Sequence, residues 1–172
     1  MGNVIIKKAR SQDAALIAEM SRQTFYDSFA DSNTKEDMDK FMEEQFSVAK
    51  LMKEVHDEDG IFFIAYVDEA PVGYVRMRDG ERFAEFDKLS SIEIARIYAV
   101  KSAIGKGVGP ALIQQCMDTA TALDRKIIWL GVWERNERAI RFYSKWGFEK
   151  FGKHDFILGK DVQTDLLMMK HL

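Results

Sequence analysis

The stretch from Ser91 to Phe148 constrains the fold more than any other part of the chain. It opens on SIEIARIYAV (91–100), an alternating, β-branched run that predicts a strand. Gly105, Gly107 and Gly109 follow, letting backbone bend where side chains would block it. Pro110 is expected at the first helical position, where its missing N–H costs nothing. Beyond it Ala111, Leu112, Ile113, Cys116, Met117, Ala120 and Leu123 recur at helical spacing, so one helix face is apolar. Strand, glycine loop and helix N-terminus together converge free N–H groups and the positive end of the helix dipole on one spot, which suits phosphate. Two common phosphate motifs do not account for it: GxxxxGK[ST] is absent, and GxGxxG fails because Pro110 and Ala111 follow Gly109.

The second half of the stretch is Asn136-Glu-Arg-Ala139-Ile-Arg-Phe142-Tyr143-Ser-Lys-Trp-Gly147-Phe148. Gly147 is a candidate helix C-cap, and Ala139, Ile140, Phe142 and Trp146 read as a packed helix face. Tyr143 differs from them, because a buried phenol needs a partner for its O–H. The run resembles the signature NxxAxxFYxxxGF of the GNAT family of acetyl-CoA-dependent N-acetyltransferases, and Gly105-x-Gly107-x-Gly109 after a strand resembles that family's pyrophosphate loop. Order and spacing of the two halves agree. The segment His154 to Asp165, the run Trp129 to Glu134 and the region of Thr24 and Phe25 further resemble the PaiA-type spermidine/spermine branch. Gln163 and Asp165 are equally compatible with polar hairpin positions that never meet substrate.

The resemblance implies one α/β (α+β) domain over residues 1–172, a mixed, mostly antiparallel sheet flanked by helices. It implies direct transfer of acetyl from acetyl-CoA to a primary amine. An ammonium near pKa ~10 has no lone pair, so a base is needed. Glu93, an acid on the central strand, matches the base position of the histone-acetylating branch; the plainer reading is a solvent-facing acid or one paired with Arg96. Tyr143 matches the usual proton donor to the departing thiolate. Ile97, Tyr98 and Ala99 match positions whose backbone pairs with pantetheine, and Ile104, Gly105, Lys106, Gly107, Val108 and Gly109 match the pyrophosphate loop. Ile104 departs from the Gln or Arg usual there, which removes a side-chain contact but leaves the amides. Asn136 is expected on the pantetheine arm, Lys106 as a countercharge, and Lys145 near the adenosine phosphate. Cys116, mid-helix on the apolar face, reads as inert.

The rest of the chain supplies the other elements. Val4 to Arg10 predicts a strand, and Ser11 or Asp13 caps a helix through Phe29 with Leu16, Ile17, Met20, Thr24 and Phe29 buried. Thr34 and Asp37 resemble a capping box, Met38, Phe41 and Met42 continue a helix, and Val48, Leu51, Met52 and Val55 mark another. Residues 61–67 and 71–78 form a hairpin, 78–88 a flexible polar loop, 126–133 a strand, and 150–158 with 162–170 a closing hairpin. His56 is expected at the surface.

A net charge of −3 and the absence of a Lys/Arg cluster argue against a nucleic-acid partner. One Cys and three scattered His give neither a disulfide framework nor a metal site. No signal segment or apolar run long enough for a bilayer is present, so a cytoplasmic chain with no membrane partner is expected, and a homodimer is allowed. Between Asp27 and Asp59 eleven Asp or Glu face four Lys, a balance of −7 that would suit a cationic acceptor such as spermidine or spermine. The competing readings are a protein or peptide N-acetyltransferase, and a CoA-binding module without turnover.

Overall fold

Both faces of the central strands are apolar, and the chain answers by covering both. In a computed structural model describing residues 2–57 and 60–172, seven strands form one sheet in the order β1-β2-β3-β4-β5-β7-β6. They are β1 Val4–Lys8, β2 Gly60–Val67, β3 Ala70–Arg78, β4 Ser91–Ala99, β5 Ile127–Trp133, β6 Glu149–Leu158 and β7 Asp161–His171. The α-helices are α1 Ala14–Phe29, α2 Lys35–Glu44, α3 Val48–His56, α4 Val108–Ala122 and α5 Glu137–Lys145. β4 and β5 pair in parallel, so α4 is the crossover that parallel neighbours require. The other strand pairs are antiparallel.

Successive residues of β2 serve opposite layers. Phe62 and Ile64 join Tyr74 beneath Ile17 and Met20 of α1. Phe63 and Ala65 join Val75, Met77, Ile92 and Ile94 beneath Leu112, Ile113 and Cys116 of α4. A satellite cluster packs Phe25, Met38, Phe41, Met42, Phe46 and Leu51 against Leu158 of β6. Gly73 sets how closely α4 approaches the sheet. A Cβ there would lie 2.8 Å from the Tyr98 carbonyl oxygen and 2.9 Å from Val108 Cγ1.

Several element boundaries differ from expectation. β1 stops at Lys8 rather than Arg10, and a 3-10 turn, Ser11–Asp13, precedes α1; the Asp13 carboxylate there accepts the Arg10 N–H at 2.8 Å. Thr34 Oγ1 does accept the Asp37 N–H at 3.1 Å. The Asp37 carboxylate, however, accepts the Lys160 N–H at 2.9 Å instead of completing a capping box, and so ties α2 to the β6–β7 turn. α4 begins at Val108, two residues before Pro110, because Gly107 turns the chain at φ 84° and is itself the N-cap. Pro110 still falls in the first turn, where an N–H has no intrahelical acceptor. The loop after Arg78 is not free of the body: it carries the turn Ala84–Phe86, and the Phe83 ring meets Trp129 and Phe151 edge-on at 5.0 and 5.3 Å. His56 is exposed, as expected.

Candidate active site

β4 and β5 stay together for three residue pairs only, Ser91 with Ile127, Ile92 with Ile128 and Glu93 with Trp129. β4 then continues to Ala99 on β3, while β5 continues to Trp133 on β7. Between them the sheet opens as a wedge. The shift of register at Arg76/Met77 leaves Ala95 as an extra residue in β4, and such a bulge bends a strand away from its neighbour. Along residues 94–99 one edge of β4 therefore has no strand partner, and its N–H and C=O groups call for one. Ile97, Tyr98 and Ala99 lie on that edge. The gap is open, for Gly131 is exposed although it stands in the middle of an interior strand.

The glycine loop closes one end of the wedge. After the short turn Lys101–Ala103, Gly105 and Gly107 take φ 80° and 84°, and a Cβ built on either meets no protein atom within 4 Å. The Lys106 N–H donates to the Ala103 carbonyl and the Ala111 N–H to that of Gly107. The N–H groups of Gly105, Gly107, Val108 and Gly109 have no backbone acceptor among the described residues. They sit at the positive end of a fifteen-residue helix, an arrangement that binds anions. Val108 is buried and anchors the loop, whereas Lys106 is exposed and Ile104 is 41% exposed.

α5 supplies the other wall. Asn136 caps it, its Oδ1 accepting the Ala139 N–H at 3.2 Å, so half of this amide is committed to the helix and only its NH2 remains for a ligand. Phe142 is a packing residue that lies 3.5 Å from a Cβ built on Gly109. Tyr143 is buried between Phe142 and Phe148. Burial pushes its pKa up, the nearby Cys116 adding to it, and no partner for its hydroxyl is found among the described residues. The phenol therefore keeps its proton at neutral pH. Burial raises the Cys116 thiol likewise, in accord with an inert cysteine. Lys145 is exposed in the last turn of α5.

Glu93 does not pair with Arg96, one of the alternatives its position left open. Glu93 holds Arg78, with Oε2 2.6 Å from Nε and Oε1 3.4 Å from Nη2, because the two stand opposite each other in the β3–β4 ladder. Arg96 instead reaches α3, where its two Nη atoms lie 2.7 and 2.9 Å from the Glu54 carboxylate, which also faces Arg76 Nη1 at 3.4 Å. Glu54 is thus spent on two arginines. Glu36, Asp39 and Asp57 pair with lysines, while Glu58 and Asp59 lie outside the described residues. Asp27, Asp31, Glu43 and Glu44 have no basic partner among the described residues.

Gln163 is tied into the fold, its amide NH2 donating to Asn33 and Asp161 at 2.7 and 2.8 Å. Asp165 belongs to the wedge: it stands beside Trp133, and its charge opposes ionisation of Tyr98 across the gap. A glycine inside the strand run, Gly131, was the available signal. A further cavity of about 820 Å³, lined by Lys7, Arg10, Asp13 and Tyr66, lies at the β1 edge and forms no part of this site. Among the described residues no group of acids, His or Cys could hold a metal, and no helix is long and apolar enough to cross a membrane.

Comparison with known proteins agrees with this geometry. The profile described as Acetyltransferase (GNAT) family matches residues 22–148. The chain belongs to that family. An uncharacterized N-acetyltransferase from the pepI 3′ region of Lactobacillus delbrueckii subsp. lactis is 35% identical to this acetyltransferase over 172 residues, covering 100% of this chain and 99% of the relative. A relative from Mycobacterium bovis, also called an uncharacterized N-acetyltransferase, is 28% identical over 93% of this chain and 98% of its own. Among solved structures, the PaiA N-acetyltransferase of Thermoplasma acidophilum in complex with coenzyme A has the same fold, with a TM-score of 0.77 at 20% identity over 99% of both chains. So has yncA of Salmonella typhimurium with acetyl-CoA, with a TM-score of 0.74 at 17% identity over 98% of this chain and 94% of that one.

Proposed function

We propose that this acetyltransferase carries acetyl from acetyl-CoA directly to a primary amine of a polyamine such as spermidine or spermine, both substrates being bound together. The observation that carries the reading is the wedge itself, with unpaired N–H groups at one end and an unpaired strand edge along one side. Residues 105–109 would receive the pyrophosphate through backbone N–H groups, with Lys106 as countercharge. Ile97, Tyr98 and Ala99 would pair with the amides of the pantetheine arm, the Asn136 NH2 would assist, and Lys145 would approach the adenosine phosphate. When bound, acetyl-CoA supplies an activated acyl group on a good leaving group. Tyr143 holds the proton that the departing sulfur takes. Glu93 is the base expected from sequence, but its carboxylate already binds Arg78.

Two things support the polycation. The tail resembles the PaiA-type branch, and four acids of α1, α2 and the turn between them, Asp27, Asp31, Glu43 and Glu44, remain without basic partners among the described residues. Thiol release from acetyl-CoA tests the reading against spermidine, spermine, a monoamine of similar length and a peptide with a free N-terminus. Spermidine and spermine should give the highest kcat/KM, and added salt should raise their KM far more than that of acetyl-CoA. A monoamine or peptide acetylated as efficiently would overturn the polyamine while leaving the acetyltransfer intact. Absence of thiol release with every amine would leave a CoA-binding module.

A further inference from the structure

β7 carries a carboxylate to the open side of β5. Asp165 stands opposite Trp133 in the β5–β7 register, and its Oδ2 lies over Gly131, 3.5 Å from where a Cβ on that residue would be. Since residue 131 has no side chain, nothing on β5 separates this carboxylate from the gap beside β4. His154 stands opposite Asp165 on β6, with Nε2 3.5 Å from Oδ2, and the two side chains are 44% and 19% exposed respectively. The groups that face Asp165 are His154 from β6 and Tyr98 from β4; β5 offers Gly131 and Trp133, which carry no charge. Other half-buried acids near the wedge have arginine partners, Arg78 on Glu93 and two arginines on Glu54. Asp165 has no Lys or Arg partner among the described residues. A carboxylate withdrawn from water without a cation is costly, and burial accordingly raises its pKa, with His154 working against the rise. What the pocket lacks is a Lys or Arg, and an amine acceptor brings a comparable cation.

We propose that Asp165, positioned by His154, receives the ammonium of the acceptor and takes its proton. The inference rests on the acetyltransfer reading above. One N–H bond of the ammonium breaks and its proton moves to Asp165, leaving an amine with a free lone pair. Asp165, held beside the exposed His154 ring, then releases that proton to water. The amine nitrogen then bonds to the acetyl carbon as the carbon–sulfur bond breaks, and its surplus proton reaches sulfur by way of the Tyr143 hydroxyl. One proton thus goes to solvent and one to the thiol.

The test compares wild type with Asp165→Asn, Asp165→Glu and His154→Gln, using spermidine and a primary monoamine as acceptors. Asp165→Asn should lower kcat/KM for both amines by about 10²–10⁴-fold, with acetyl-CoA affinity within about twofold and the melting temperature not lowered. The deficit should shrink as pH approaches the amine pKa of ~10, where free amine forms without a base; a purely structural role does not produce that recovery. Asp165→Glu should restore part of the rate, and His154→Gln should slow the reaction less than Asp165→Asn while displacing the acidic limb of the pH profile. Wild-type kcat/KM in Asp165→Asn, a loss that does not vary with pH, or a loss accompanied by weakened acetyl-CoA binding overturns the assignment. Failure of the wild type to release thiol with any amine would overturn acetyltransfer itself, and this inference with it.

Discussion

Gly107→Ala separates the two things that the loop glycine does. At φ 84° an L-residue costs about 1–2 kcal/mol relative to glycine. No packing cost is added, because the new Cβ meets no protein atom within 4 Å. For a chain of 172 residues each kcal/mol corresponds to roughly 2–4 °C, so a melting point lower by about 2–8 °C is expected. The methyl group would enter the space in front of the free N–H groups. Losing one or two charge-assisted hydrogen bonds of about 1.5–3 kcal/mol each weakens acetyl-CoA at least tenfold. Gly147→Ala is the control, since its φ is 86° and its nearest contact is Lys170 Nζ, which donates to the Trp146 carbonyl. It should lose at least as much stability and little affinity. Calorimetric titration with acetyl-CoA on both folded variants decides the matter: equal dissociation constants in wild type and Gly107→Ala, or equal losses in the two variants, would refute pyrophosphate binding by this loop.

Tyr143→Phe keeps the ring against Phe142 and Phe148 and removes only the O–H, so kcat should fall roughly 10²–10⁴-fold while acetyl-CoA affinity holds; an unchanged kcat would exclude the proton-donor role. Glu54→Ala leaves Arg76 and Arg96 facing each other without their shared carboxylate. Because Glu54 is 26% exposed, the cost should fall at the lower end of the range for buried pairs, about 3 kcal/mol, read from urea unfolding midpoints. Asp165, with its folded pKa raised, binds its proton more tightly in the native state than in the unfolded chain. Its contribution to stability is thus complete below the unfolded value near ~3.9 and is lost as pH rises through the folded one. Asp165→Asn should therefore gain stability over wild type at pH 7 relative to pH 3, and chemical denaturation showing no such gain would contradict the shift.

Local pattern carried the parts of this site that depend on local geometry. The glycine loop at 105–109 and the turn at Gly147 are each made by a few consecutive residues, and each was legible; the cap at Asn136 is equally local but was not read from the sequence. The error at Pro110 arose because a proline is tolerated anywhere in a helix's first turn, whereas the left-handed φ of Gly107 set the start. Pairs formed by register were not legible. Arg78 meets Glu93 across one ladder, Asp165 meets His154 across another, and Glu54 meets Arg96 between a helix and the sheet; no periodicity announces any of them. Nor does a sequence say where two strands part, since β4 and β5 each read as an uninterrupted strand.

That parting gives the molecule a mechanical character. The four strands through β4 and the three from β5 onward are joined within the sheet by the short ladder that ends at Glu93 and Trp129, and outside it by the core beneath α4, so the sheet itself is two leaves on a narrow spine. A ligand laid along residues 94–99 lengthens the spine. Occupancy should then be visible far from the chemistry, as slower hydrogen–deuterium exchange along β4 and a stiffer angle between the leaves.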